Sequence, residues 1–246
     1  MAFLEEGERG GRVERMELEA DDGTAIEAIH AEPDGAAELG LVLHPDLMGV
    51  RPLFDEISRR LATHGIAVMA IEPFSRIPAR ERAGLDAAGR MERVAALDDA
   101  TQLSDLVGAG DFLAGAHGLE RTSILGFCMG GMYSLKAAAT GAFDRAVPFY
   151  GMLRVPDHWQ GPGQRDALDT AAGVCPTLAF FGDADPWVPN EHVDELRTVW
   201  AGRADCEVVV YPRADHGFVH DPDRPVHRPD DAADAWARTL RFLCAG

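Results

Sequence analysis

Three residues suited to nucleophilic acyl chemistry lie far apart in the chain: Cys128, Asp185 and His216. Cys128 sits in Gly126-Phe127-Cys128-Met129-Gly130-Gly131, after the apolar run Thr122-Ser123-Ile124-Leu125 and before residues 132–139, which read as a helix. A strand, a tight turn with glycines on both sides of a nucleophile, and then a helix would hold the thiol at the mouth of a cleft. The glycines leave out the Cβ atoms that such a turn has no room for. A helix N-terminus beside the sulfur favours a thiolate.

Asp185 follows the apolar run 176–181 in Gly182-Asp183-Ala184-Asp185-Pro186-Trp187-Val188-Pro189. Its expected role is to accept a hydrogen bond from a histidine, fixing the tautomer and stabilising imidazolium. Asp183, two residues earlier, competes for that role. His216 follows the strand-like run 207–211 in Asp215-His216-Gly217-Phe218 and is the candidate base. That context, just before the last helix, distinguishes it from His220 and His227. An acyl transfer also needs two backbone N–H groups where negative charge develops on oxygen. Met129, directly after the nucleophile, and Leu47, in the loop Pro45-Asp46-Leu47-Met48-Gly49-Val50, are the candidates.

The intervening sequence supplies elements able to position these residues. Residues 13–18 and 24–30 alternate around Ala20-Asp21-Asp22-Gly23, a hairpin turn signal, and predict an antiparallel edge pair. Compact apolar strands are expected at 39–44, 66–71, 122–125, 145–150, 176–181 and 207–211. Helices are expected at 52–64, with Pro52 in the first turn and Gly65 past the end, at 91–113, after the elbow, from Asn190 as a cap to 201, and at 230–243. The proposed buried set on the 91–113 helix is Val94, Leu97, Leu106 and Leu113. Residues 72–90 and 151–173 are glycine-, proline- and charge-rich excursions with no clear period. Strands alternating with helices predict an α/β fold: one domain over 12–246, a mostly parallel central sheet with helices on both faces, and antiparallel N-terminal edge strands. Residues 1–11 are expected to fray.

Composition narrows the function. A net charge of −18 over 246 residues offers no basic surface for nucleic acid. No apolar run reaches membrane-spanning length. The acidic, glycine-rich first twelve residues lack a signal-peptide core. The four cysteines, Cys128, Cys175, Cys206 and Cys244, form no C-x-x-C pair, so neither a metal site nor a disulfide framework is indicated, and a reduced cytoplasmic setting is expected.

On the stretch 126–131, on Gly182 through Pro189 and on His216-Gly217-Phe218, in the order nucleophile, acid, histidine, the chain resembles the dienelactone hydrolase family. That family is the cysteine-dependent branch of the α/β-hydrolases. The resemblance implies a single-domain α/β-hydrolase that cleaves an ester or lactone through Cys128, His216 and Asp185 by way of an acyl thioester, with no metal or organic cofactor. It further implies that Asp46 occupies the position of an acidic residue controlling the thiol's charge state. Arg76 would bind a substrate carboxylate, and His220 stands where the family's second arginine would be. The expected partner is a small ester or lactone, and the expected assembly a monomer or small homo-oligomer. The alternatives are a broader carboxylesterase or thioesterase acting on neutral acyl groups, or a non-catalytic hydrolase-fold binding protein. Intact nucleophile, base and acid argue against the last of these. A redox sensor at Cys128 would lack a resolving cysteine nearby in sequence.

Overall fold

The computed structural model describes residues 4–245. β1 (Gly11–Glu19) and β2 (Ala25–Pro33) form the expected antiparallel hairpin, turned where Asp22 accepts from the Thr24 amide. β2 runs antiparallel to β4 (Ile66–Ile71). β3 (Leu39–His44), β5 (Thr122–Phe127), β6 (Phe143–Phe149), β7 (Thr177–Gly182) and β8 (Cys206–Tyr211) continue the sheet in parallel with β4. The order across the sheet is β1-β2-β4-β3-β5-β6-β7-β8. Every residue of β4, β5 and β7 is buried, as continuous apolar strands require when both faces are covered.

Two cores flank the sheet. On one face pack α1 (Pro52–Ala62), through Phe54, Ile57 and Leu61, and α7 (Pro229–Cys244), through Ala235 and Trp236. The other face is covered by α4 (Asp99–His117), α5 (Met129–Ala137) and α6 (Asn190–Val199). The first excursion carries two short helices, α2 (Ala79–Arg82) and α3 (Ala87–Val94), and the second carries three single turns of 3₁₀ helix. No helix among the described residues is long and apolar enough to cross a membrane.

Three local expectations change. The helix expected over 91–113 is two helices. Asp86 caps α3 through the Gly89 amide and Asp98 caps α4 through the Thr101 amide, so a new helix begins where one was expected to continue. Val94, Leu106 and Leu113 are buried as expected, whereas Leu97 lies between the helices and is only partly covered. Asn190 does not cap α6: Pro189 holds that position, and the Asn190 side-chain Nδ2 instead donates to the Asp183 carbonyl. Finally, residues 1–3 of the segment expected to fray lie outside the described residues, but residues 4–10 are anchored. Leu4 is buried, Arg60 and His64 donate to the Leu4 and Glu5 carbonyls, and Gly7 donates to Thr63 Oγ1.

Candidate active site

The parallel register brings the carboxyl ends of β3 and β5 side by side, with His44 opposite Gly126. The loop bearing Leu47 therefore neighbours the turn bearing Cys128. Cys128 has φ 58° and ψ −120°, a region that L residues adopt only when the surroundings hold them there. Its amide donates to the Phe149 carbonyl at 3.0 Å, and its carbonyl accepts from the Met132 amide at 3.0 Å. A Cβ on Gly126 would collide with the Gly130 carbonyl, and one on Gly130 with the His44 and Pro45 carbonyls. The glycines on both sides of the nucleophile are thus required by backbone approaching backbone.

Asp185 and His216, on the loops after β7 and β8, meet at 2.8 Å between Oδ2 and Nδ1. Asp185 Oδ1 accepts from the Trp187 and Val188 amides, which aim the carboxylate, and its side chain is wholly buried. Asp183 is exposed and accepts from the Arg213 amide, so Asp185 is the one of the two aspartates that meets His216. Burial by itself would depress the His216 imidazole. The Cys128 sulfur and the Asp185 carboxylate outweigh it and raise the ring from 6.5 to about 10. The Tyr150 ring meets His216 edge-on, with centroids 5.1 Å apart.

Cys128 and His216 share a cavity of about 400 Å³. Its apolar walls include Leu47, Met91, Trp159 and Trp187, and its polar rim Asp46, Arg51 and Arg224. Among the described residues, neither the Leu47 nor the Met129 amide donates to a protein acceptor. Met129 opens α5, where the first amides have no partner within the helix. A larger groove, about 500 Å³, lies beyond Trp187 and is lined by Arg154, Asp157, His158 and His192. It shares Trp187 alone with the Cys128 cavity.

The remaining expected site residues are placed differently. Asp46 lines the cavity, but its oxygens are engaged by protein donors. Oδ1 accepts from Arg51 at 2.7 Å and from the Met48 amide at 2.9 Å, and Oδ2 accepts from Arg51 and His220 at 2.9 and 2.8 Å. The structure gives it no hydrogen bond to the sulfur. His220 is fully buried and outside the cavity lining. Its Nε2–H donates to Asp46 and its Nδ1 accepts from the Tyr150 hydroxyl. Burial, outweighing Asp46, holds this imidazole neutral. Arg76 is not in the cavity at all. It pairs with Asp22 and Asp105 beside a separate hollow formed by Phe74, Ile77 and Leu97. Asp22, in the β1–β2 turn, and Asp105, on α4, hold its guanidinium there, while buried Glu72 accepts from the Val50 and Phe74 amides and pairs with Arg90 where the chain leaves β4.

Asp46 makes a prediction about acid stability. Burial opposes its ionisation, but His220 and Arg51 overcome it and hold the carboxyl below the usual range. A folded value below the unfolded one stabilises fully above the unfolded value, about 4, and that stabilisation fades as pH falls toward the folded value. Asp46→Asn should therefore cost about 3 kcal/mol at pH 7, by removing the nearer of Arg51's carboxylate partners, Asp46 at 2.7 Å, and leaving only Asp221 at 3.9 Å. At pH 3 the cost should be smaller by about 1 kcal/mol. Urea unfolding at both pH values measures the difference, and an equal loss at both would refute it.

The comparisons with known proteins agree with this architecture. The family described as the dienelactone hydrolase family matches residues 26–245. A Bradyrhizobium protein named as a 2-oxo-3-(5-oxofuran-2-ylidene)propanoate lactonase is 30% identical over 206 residues, covering 82% of each chain. An Escherichia coli K12 protein named as a carboxymethylenebutenolidase is 31% identical over 237 residues, covering 90% of this chain and 83% of its own. A crystal structure of a Klebsiella pneumoniae protein, assigned by name as a dienelactone hydrolase, superposes with a TM-score of 0.85 at 26% identity. It covers 96% of this chain and 99% of its own. With the match running from β2 to the end of α7, the chain belongs to the dienelactone hydrolase family and is a hydrolase of that kind.

Proposed function

We propose that the protein hydrolyses a lactone or ester bearing a carboxylate, with Cys128 as nucleophile, His216 as proton carrier and Asp185 as the acid that orients it. One observation carries this: the Cys128 sulfur, the Asp185-anchored imidazole and Leu47 line one cavity, and the Leu47 amide and the Met129 amide directly after the nucleophile have no protein acceptor among the described residues. His216, its ring raised to about 10, holds at Nε2 the proton that the Cys128 thiol gives up, and the sulfur attacks the carbonyl carbon. The oxyanion is held by the Leu47 and Met129 amides. As the tetrahedral adduct collapses, the carbon–oxygen bond breaks and His216 returns the proton to the departing enolate or alkoxide. Water, deprotonated by His216, then cleaves the acyl thioester and restores the thiol.

Arg224 supports an anionic substrate. It lines the cavity, is half-buried, and has no carboxylate partner among the described residues. Its guanidinium lies against Gly217, the residue after His216. Arg51, by contrast, is committed to Asp46. The apolar walls suit the body of a flat unsaturated ring, and Arg224 suits its carboxylate.

Acid quench during turnover of an activated ester, followed by peptide mass analysis, tests the covalent step. The acyl mass is expected on the peptide containing Cys128, and a burst of product without it would exclude the thioester. For specificity, Arg224→Ala should raise KM for an unsaturated lactone acid by about 10- to 100-fold, the worth of a hydrogen bond to a charged group. KM for its methyl ester should hardly move. Equal effects on both would assign the cavity to neutral acyl substrates.

A further inference from the structure

A second cluster of ligand-type side chains lies away from the cavity and shares no residue with it. His30 and Glu32 alternate along β2 and so project from the same face, and His117 closes α4 above them. His30 Nε2 and His117 Nε2 are 3.3 Å apart, and Glu32 Oε1 lies 3.7 Å from His117 Nε2. All three donor atoms lie within 4.8 Å of one another. We propose that His30, Glu32 and His117 form a Zn²⁺ site that fastens the edge hairpin to α4.

The spacing fits the metal. Two nitrogens each about 2.0–2.1 Å from a tetrahedral zinc lie about 3.3 Å from each other. The surrounding contacts free the required lone pairs. His30 Nδ1 faces Glu14 Oε1 at 3.4 Å across the β1–β2 ladder, which puts the ring proton on Nδ1 and leaves Nε2 bare. Glu32 turns Oε2 to Arg12 and keeps Oε1 toward the histidines. A simple N–H···N hydrogen bond between the two rings would explain their contact but would need no carboxylate beside it. α4 ends at His117, with Gly118 in the left-handed conformation, so the negative end of the helix dipole also faces the cation. His30 is buried and Glu32 is about one-fifth exposed, which leaves the fourth position open to a water.

The test is zinc titration of the chelator-stripped full-length protein against a chromophoric competitor, with His117→Ala, Glu32→Gln and Glu14→Gln alongside. His117 lies at a helix end, so its variant is suited to a folded comparison, and circular dichroism confirms that state. Wild type should bind one equivalent at this site, with a zinc-dependent rise in Tm. His117→Ala should lose more than the ~10–100-fold in affinity that removal of an outer partner costs, and Glu14→Gln should fall within that range. Co²⁺ substitution should give a spectrum without sulfur charge-transfer absorption, separating this site from Cys128. The proposal is overturned if wild type binds no zinc, if His117→Ala and Glu32→Gln bind as wild type does, or if the Co²⁺ spectrum shows thiolate ligation.

Discussion

Cys128→Ala lowers kcat by on the order of 10⁶-fold on any ester or lactone that the wild type cleaves, the scale on which triad enzymes lose activity without their nucleophile. The cavity, the Leu47 and Met129 amides and Arg224 all survive the substitution, so the variant should bind substrate with KM or Kd little changed. Removing the sulfur also removes one of the interactions that raise His216. The imidazole should therefore titrate at lower pH in Cys128→Ala than in wild type, which NMR of the ring protons can follow. Retention of kcat within tenfold would transfer the chemistry to another group. An unchanged His216 titration would mean that the sulfur and the ring do not interact.

Asp185→Asn should lower kcat by about 10⁴-fold with little change in KM. The carboxamide fits the same space, and its oxygen can still accept from the Trp187 and Val188 amides. What changes is the group facing His216 Nδ1. An amide nitrogen turned toward the ring favours the wrong tautomer, and the charge opposite the imidazolium is lost. Asp185 helps to raise His216, so its removal shifts the basic limb of the kcat/KM profile to lower pH. If kcat falls and the limb stays in place, Asp185 only shapes the loop. Asp183→Asn serves as the control and should remain near wild type, because its side chain faces the Arg213 amide instead of the ring.

The catalytic candidates were legible in the sequence because each sits in a short, local pattern. Glycines around Cys128, the G-x-x-D-x-x-V-P stretch and the histidine before the last helix all report nearby backbone geometry. The strands were legible too, since the buried runs are continuous. The substrate end of the cavity was not. Arg76 matches by local context, but its guanidinium is held by Asp22 and Asp105, which come from other parts of the chain. Arg224 follows His216 by eight residues and carries no motif; only the folding of the loop after β8 turns it inward. His220 read as a replacement for a substrate-binding arginine. It is instead a buried link between Tyr150 and Asp46, and that link occupies the carboxylate expected to address the thiol. The break between α3 and α4 was readable in principle, because Asp86 and Asp98 are both capping residues.

The turn at Cys128 also bears on how this site can diverge. The strain at φ 58° belongs to the main chain and to any side chain with a Cβ, and the contacts that hold it are made by the amide and carbonyl of residue 128 and by neighbouring glycines. None of them involves the sulfur. Exchange of sulfur for oxygen is thus a single-codon step that leaves the scaffold untouched, whereas moving the nucleophile by even one position would require a different backbone. Descendants of such a chain can change their reactive atom readily and its location hardly at all.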